Sequence, residues 1–549
     1  MDVKQELQRL IQGRLADDQD TLEKYSKDAS LFQVKPQLVV FPKHAQDISN
    51  LVSFALHHPE EKISLTCRSG GSDMTGGPLS ESLVLDMSAF SRVQEVESER
   101  NGSGYAITQP GVFYRDFEKE TIKKNLLMPS FPASRELCTV GGMVANNSGG
   151  EKTLSYGKTE DFVQELKVVF ADGKERVVKL LSMDELKGKM ALQDFEGEIY
   201  RRMFELIDTN YEAIQKAKPN VTKNSSGYFL WNVYDREKGT FDLTKLFVGS
   251  QGTLGIVTEI KFKLVQPRQH SSLLVIFLRK ESLLSEVTEA VLASKPDTFE
   301  LYDDHTLRLA AKFFPDFLKT LKGNIISLAF RFLPEFFMVL RGGMPKLVLL
   351  AEFTGDSKEE AMGKARSAKA GVDAYAVQTH IAKSEQEARK YITIRRESFN
   401  LLRKHIKGKR TAPFIDDIVV RPEDMEQFLP QLQQILSQYP QLVYTIAGHL
   451  GDGNLHIIPL MDFRQEGSRK IIFELSKKVY DLVFAFKGSI TAEHNDGMIR
   501  TPFIQDMYGK GIYQLFVETK HIFDPHSIFN PGKKVSGTIE YASRHIVSE

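Results

Sequence analysis

"TVGGMVANNSGGEKTLSYG", residues 139–157, sets five glycines, two asparagines and several hydroxyls side by side. Glycine at a strand end lets backbone N–H groups come close to a phosphate, and a small hydroxyl beside it adds donors. Two further segments of this kind flank the stretch. "CRSGGSDMTGG" (67–77) precedes it and "VGSQGTLGIVTEI" (248–260) follows it. None matches G-x-x-x-x-G-K-[ST], so a P-loop nucleotidase is not supported. None is a G-x-G-x-x-G opening a helix after a first strand, so a Rossmann dinucleotide site is not supported either. A single cluster of this type is ordinarily a set of tight turns. Three in order point to one extended pyrophosphate ligand wrapped by several loops.

The surroundings set the fold class. "QLVVF", "ISLTCRSGG", "SLVLDM" and "YAITQPG" read as strands, and "ELKVVFADGKERVVKL" as a hairpin across Asp172-Gly173. "AQDISNLVSFALHH" reads as a helix, and the opening "MDVKQELQRLIQGRLADDQD" as a charged amphipathic helix, without the apolar core of a signal peptide. Strands outnumber helices and connections are short, which gives an α+β fold rather than a doubly wound one. The expected division is 1–266, 267–485 with long helices and strands such as "KLVLLAEF", and a helical 486–549 ending in "FDPHSIFNPGKK".

Bulk composition narrows the function classes. Among 549 residues, 72 Lys plus Arg balance 72 Asp plus Glu, so no net field attracts nucleic acid or an anionic membrane. Cys67 and Cys138 are the only cysteines, which excludes a disulfide framework and an iron–sulfur cluster held by this chain alone. "IISLAFRFLPEFFMVLRGG" (325–343) is broken by Arg331, Pro334, Glu335 and Arg341 and is too short to span a bilayer. It is expected to form a buried helix pair with the preceding "LRLAAKFFPDFLKTL", a surface against a membrane or a partner being the alternative. A cytoplasmic protein is the expectation, with peripheral contact to the inner membrane face as its variant.

"AGHLGDGNLH" (447–456) places His449 and His456 at the inner ends of a turn between strand-like segments. Facing side chains on paired strands lie about 4.5–5.5 Å apart, close enough for two imidazoles to share one ion. Alone, the spacing equally suits two unrelated histidines flanking a solvated turn.

Taken in order, these motifs resemble the FAD-linked oxidases and dehydrogenases related to the D component of glycolate oxidase, D-lactate dehydrogenase and D-2-hydroxyglutarate dehydrogenase. "RSGGSDMTGG", the run from Pro132 to Gly173, "GSQGTLGIVTEI", "AGHLGDGNLH", "AEHNDGMIRTP" and "FDPHSIFNPGK" carry the resemblance over residues 25–535. It implies a vanillyl-alcohol-oxidase-type FAD-binding domain, a cap with an antiparallel sheet and a C-terminal helical segment returning to the flavin. The residues it assigns to FAD are Arg68, Ser69, Gly70, Gly71, Ser72, Asp73, Pro132, Ser134, Gly141, Gly142, Asn146, Gly150, Tyr156, Gly157, Gly252, Ile256 and Asn530. Some relatives attach flavin through a histidine where this chain has Ser72, which implies a noncovalent cofactor.

The resemblance further implies a divalent, zinc-like metal on His449, His456 and Glu493, with His494 as the proton acceptor. Two imidazoles and a carboxylate are the donor set of an open, catalytic site. Glu493 and His494 are adjacent, so serving one site requires a bend in "EHNDG". Arg395 in "YITIRRES" is the expected partner of the substrate carboxylate, with Arg396 as its competitor. The 2-hydroxyglutarate enzymes carry an asparagine and a lysine where this chain has Ile458 and, by a gapped alignment, Ile415. That tilts the expected substrate toward a D-lactate-like 2-hydroxy acid. Without a nicotinamide fingerprint, electrons are expected to pass to a quinone, a cytochrome, an electron-transfer flavoprotein or an iron–sulfur subunit. Two other readings stay open. One is a metal hydrolase with structural glycine loops; the other is a non-catalytic flavoprotein component of a larger redox complex, held there through 305–343.

Overall fold

Gly13 breaks the N-terminal helical pattern. The helix Val3–Leu10 is capped by Asp2, whose side chain accepts from Gln5 N, and it ends at an extended Ile11. A Cβ on Gly13 would lie 2.2 Å from Phe41 O, so only glycine lets the chain run beside the strand Leu38–Phe41. Arg14–Ala16 pairs with that strand and a second helix, Gln19–Tyr25, follows. The continuous amphipathic helix expected over the first twenty residues is therefore two short helices around a strand, because tertiary pairing overrides the local periodicity.

The computed structural model describes residues 2–100, 102–312, 343–406, 408–465 and 467–547. The apolar segment read as a buried helix pair falls almost wholly outside them. Two sheets build the N-terminal half. One has four strands in the order Arg14–Ala16, Leu38–Phe41, Leu83–Asp86, Leu65–Arg68, the last three parallel. The other has seven antiparallel strands and contains the expected hairpin Val163–Val169 to Glu175–Ser182, with Gly173 at φ +76° in its turn.

A second seven-stranded antiparallel sheet runs Gln378–Ile381, His270–Leu278, Leu347–Gly355, Thr298–Asp303, Ile446–His449, Asn454–Ile457, Ile418–Val419. Along His270–Leu278 the side chains alternate between two apolar layers. Leu274, Ile276 and Leu278 join the large core, while Leu273, Val275 and Phe277 pack with Tyr391 and Ile394. Each such side chain contributes about 1.5–3 kcal/mol on burial. The second layer fixes the helix Glu385–His405 against the sheet, which delivers Arg395 beside it.

The C-terminal segment then returns to the first sheet. After the helix Ile504–Phe523, Phe529 pairs with Leu65 in parallel, Leu65 N donating to Ile528 O and Asn530 N to Leu65 O.

Candidate active site

The three glycine loops converge on one cavity of about 550 Å³, a size typical of ligand sites. The first loop leaves the strand Leu65–Arg68. Gly71 adopts φ +70° and folds over the Arg68 guanidinium, which donates to Tyr25 O and Lys27 O underneath. Among the described residues, the amides of Ser69, Gly70, Gly71 and Ser72 donate to no protein acceptor. Such orphan donors suit a phosphate. The second loop opens the helix Val140–Asn146, capped by the Thr139 side chain on Gly142 N. Here Gly141 N donates to Pro110 O, so this loop offers close backbone approach and the helix dipole instead of those two amides. In the third loop, Gly252 has φ +68° with open space before its Cα.

Amide side chains lock the loops together. Asn146 Nδ2 donates to Asp73 Oδ2 (2.9 Å), and Gln251 Nε2 donates to Asn146 Oδ1 (3.3 Å). Asn530 Nδ2 donates to Gly77 O and Gln251 O while its Oδ1 accepts from Thr66. Asp73 spends its other oxygen on Thr75 and Gly77 of its own turn. Asp73, Asn146 and Asn530 thus hold the cradle's shape.

At the far end of the cavity lies the histidine hairpin. Its strands are Ile446–His449 and Asn454–Ile457, and its turn closes at Gly453, φ +69°, where a Cβ would meet Val420 O at 1.8 Å. His449 pairs with Asn454 and Ala447 with His456, so the imidazoles are diagonal neighbours on one face rather than directly opposed. Their ring centroids are 5.1 Å apart at 88°. His449, His456 and Glu493 each offer a ligand atom within 4.8 Å of the others. His449 Nδ1 lies 2.6 Å from Glu300 Oε1 and His456 Nδ1 lies 3.2 Å from Asp416 Oδ1. A carboxylate on each Nδ1 leaves each Nε2 lone pair for a cation. The donor set fits a divalent metal.

Glu493 also carries an internal counter-ion. Lys223 is fully buried, with Nζ 2.6 Å from Glu493 Oε1 and 3.1 Å from Asp452 Oδ2 and Gly150 O. Burial alone would lower the lysine, but Asp452 and Glu493 outweigh it and hold Lys223 up at about 12. Burial likewise opposes the Glu493 charge, and Lys223 foremost outweighs it and brings the carboxyl down to about 2. His449 is pushed well below its ordinary value, first by burial and then by Lys223, and is neutral as a ligand must be.

The bend after Ala492 comes from one carboxylate. Asp417 Oδ2 accepts from the consecutive amides of Glu493 (2.8 Å) and His494 (2.7 Å), and from Thr491 Oγ1 (2.7 Å). Both side chains therefore reach the same cavity. The His494 ring stacks on His456, centroids 5.4 Å apart at 27°, with Nδ1 3.1 Å from Asp416 Oδ2. Burial disfavours its charge, but Asp417 and Asp416 outweigh burial and raise His494 to about 9; a cation held by the adjoining His456 and Glu493 would repel that extra proton and return the ring to the neutral form that can act as a base. Arg395 pairs with Glu300 and lies 3.4 Å from His449 Nδ1; Arg396 pairs with Glu151.

Of the residues expected to touch cofactor, Arg68, Ser69, Gly71, Ser72, Asp73, Pro132, Ser134, Gly141, Gly142, Asn146 and Gly252 line the cavity, as do both arginines, both hairpin histidines, Glu493 and His494. Others sit behind it. A Cβ on Gly70 would meet Leu137 O at 2.1 Å, and one on Gly150 would meet Phe131 O at 2.1 Å, so these glycines permit close chain crossings. Tyr156 is half-buried beside Arg268 and Asp297, and Gly157 (φ +86°) ends its helix. Ile256 points into the core behind the parallel sheet, and its neighbour Val257 faces the cavity. Ile458 lines the wall, but Ile415 is core, and Asp416 faces the cavity in its place.

Residues 36–179 match the FAD binding domain model and residues 266–534 the model of the FAD linked oxidases, C-terminal domain. The chain is 26% identical over 532 residues to D-2-hydroxyglutarate dehydrogenase of Pseudomonas putida, covering 95% of this chain and 50% of that protein. It thus spans about half the length of that relative. Glycolate oxidase subunit GlcD of Bacillus subtilis is 27% identical, covering 96% of this chain and 94% of its own. D-lactate dehydrogenase of Archaeoglobus fulgidus is 26% identical, covering 91% of each chain. Among solved structures, p-cresol methylhydroxylase superposes with a TM-score of 0.67 at 14% identity, covering 96% of this chain and 95% of its own. The fold is of the vanillyl-alcohol-oxidase type, α+β with an antiparallel cap sheet.

Proposed function

As this chain belongs to the FAD-linked oxidase family, we propose that it is a metal-dependent dehydrogenase oxidising a small D-2-hydroxy acid, D-lactate-like, to the 2-oxo acid. The observation that carries the reading is that His449, His456, Glu493 and His494 converge in the cavity bounded by the three glycine loops. When bound, flavin supplies a hydride acceptor and the divalent cation acidifies the substrate hydroxyl. The loop at 69–72 holds the FAD diphosphate without a covalent link, Ser72 having no nucleophilic nitrogen. His449 and His456 present Nε2, and Glu493 a carboxylate oxygen, to the cation. Arg395 orients the substrate carboxylate, and His494 takes the hydroxyl proton on the ring nitrogen turned away from Asp416. Ile458 and the Asp416 carboxylate on the same wall favour a short or apolar tail over a second carboxylate. Electrons leave to an acceptor other than a nicotinamide.

The test is His494→Ala. FAD and metal content stay at wild-type level while stopped-flow reduction of the flavin by a D-2-hydroxy acid slows by about 10²–10⁴. Reduction within a few-fold of wild type would remove His494 from the chemistry. Lost metal with normal flavin would make it a ligand.

A further inference from the structure

Asp416 has no exposed surface, yet it faces the cavity between two imidazoles. Its Oδ1 accepts from Ile457 N at 3.1 Å and lies 3.2 Å from His456 Nδ1. Its Oδ2 lies 3.1 Å from His494 Nδ1. That last contact is close but poorly aligned, and both atoms are buried with no hydrogen-bond partner elsewhere among the described residues. Each is the other's available partner. Behind Asp416, Arg500 Nη2 donates to its carbonyl at 2.6 Å and anchors the segment that leads into Ile418–Val419.

We propose that Asp416 is a positioning residue that fixes, from one carboxylate, the tautomer and orientation of both a metal ligand and the proton acceptor. The proposal rests on the reading of His456 as ligand and His494 as base. An ionised carboxylate only accepts hydrogen bonds, so the Nδ1 of each ring that faces it carries the hydrogen. Each Nε2 then keeps its lone pair, His456 for the cation and His494 for the hydroxyl proton. The two rings lie stacked at 27° with the Nδ1 of each beside this one carboxylate. When His494 gains its proton, the new positive charge lies beside Asp416, which also supports the ligand His456. Proton acceptance and metal ligation are thereby held on one group.

Asparagine at this position separates the two roles. Ile457 N–H can be accepted only by the amide oxygen, which fixes the orientation of the Asn side chain. Oxygen then still serves Ile457 and His456, while the NH2 donates toward His494 Nδ1. That moves the His494 hydrogen to Nε2 and removes the lone pair that takes the proton. The experiment uses full-length protein loaded with FAD and zinc, comparing wild type, Asp416→Asn, Asp416→Ala and His494→Ala. Zinc affinity by titration, FAD content and stopped-flow reduction by D-lactate are read for each. Asp416→Asn is expected to bind zinc within about threefold of wild type and to reduce flavin about 10²–10⁴ more slowly. Asp416→Ala is expected to lose about 10–100-fold in zinc affinity as well. Equal loss of zinc in the Asn and Ala variants would make Asp416 merely structural and overturn the proposal. Fast reduction in Asp416→Asn beside slow reduction in His494→Ala overturns it while leaving the base in place. Fast reduction in His494→Ala overturns the base assignment and the proposal with it.

Discussion

Replacing Lys223 by methionine keeps the length of the side chain and deletes the one charge set between Glu493 and Asp452. Nζ is fully buried, 2.6 Å from one carboxylate and 3.1 Å from the other. Its loss leaves two buried carboxylates without that cation and frees Gly150 O of a donor. Removing one partner of a buried ion pair costs about 3–5 kcal/mol. At roughly 2–4 °C per kcal/mol for a domain of this size class, the transition should fall by on the order of 10 °C. A divalent cation at Glu493 restores positive charge beside the same oxygen, so zinc should raise the midpoint of Lys223→Met more than that of wild type. Thermal melts followed by circular dichroism, with chelator and with zinc, measure both quantities. A variant within about 1 kcal/mol of wild type without metal, or a larger zinc effect on wild type, would refute the reasoning.

Asp28 gives a pH dependence of opposite origin. Burial first, and the Asp73 charge second, raise its carboxyl to about 7, and its Oδ2 is buried without a hydrogen-bond partner among the described residues. The unfolded chain ionises it near pH 4, so its ionisation destabilises the fold progressively from about pH 4 to 7. Asp28→Asn should therefore leave the urea midpoint unchanged at pH 4 and raise it at pH 8. Acid precipitation should release the yellow cofactor into the supernatant, since Ser72 offers no covalent attachment; flavin pelleting with the protein would contradict this.

The glycine loops and the histidine hairpin were legible because they answer local demands. Gly71, Gly252 and Gly453 adopt left-handed backbone, and Gly453 also sits where any Cβ would strike Val420. Such needs leave a mark in one short segment. Lys223, Glu300, Asp416 and Gln251 left none. Each is a single polar residue whose role appears only through a distant partner, even for Gln251 inside the third glycine loop: Lys223 and Glu493 are 270 positions apart. "IDDIVV" was the nearest to a signal, two acids opening an otherwise apolar strand. Asp416 there holds the two histidine rings and Asp417 bends the segment carrying Glu493 and His494. The N-terminal helix failed for the converse reason. Its periodicity was genuine, but Gly13 let a strand pair with Leu38–Phe41, and sheet pairing won over local propensity.

The most direct test of the central claim is the visible spectrum of the FAD-loaded protein on anaerobic addition of D-lactate and a panel of longer D-2-hydroxy acids. Each is set beside its L-enantiomer, with and without prior chelation. The account predicts bleaching of the flavin band by at least one D-acid, none by its L-enantiomer, and loss of bleaching on chelation with the flavin still bound, restored by zinc. Flavin that stays oxidised with every D-acid, or bleaches as fast in a metal-free preparation, would contradict it.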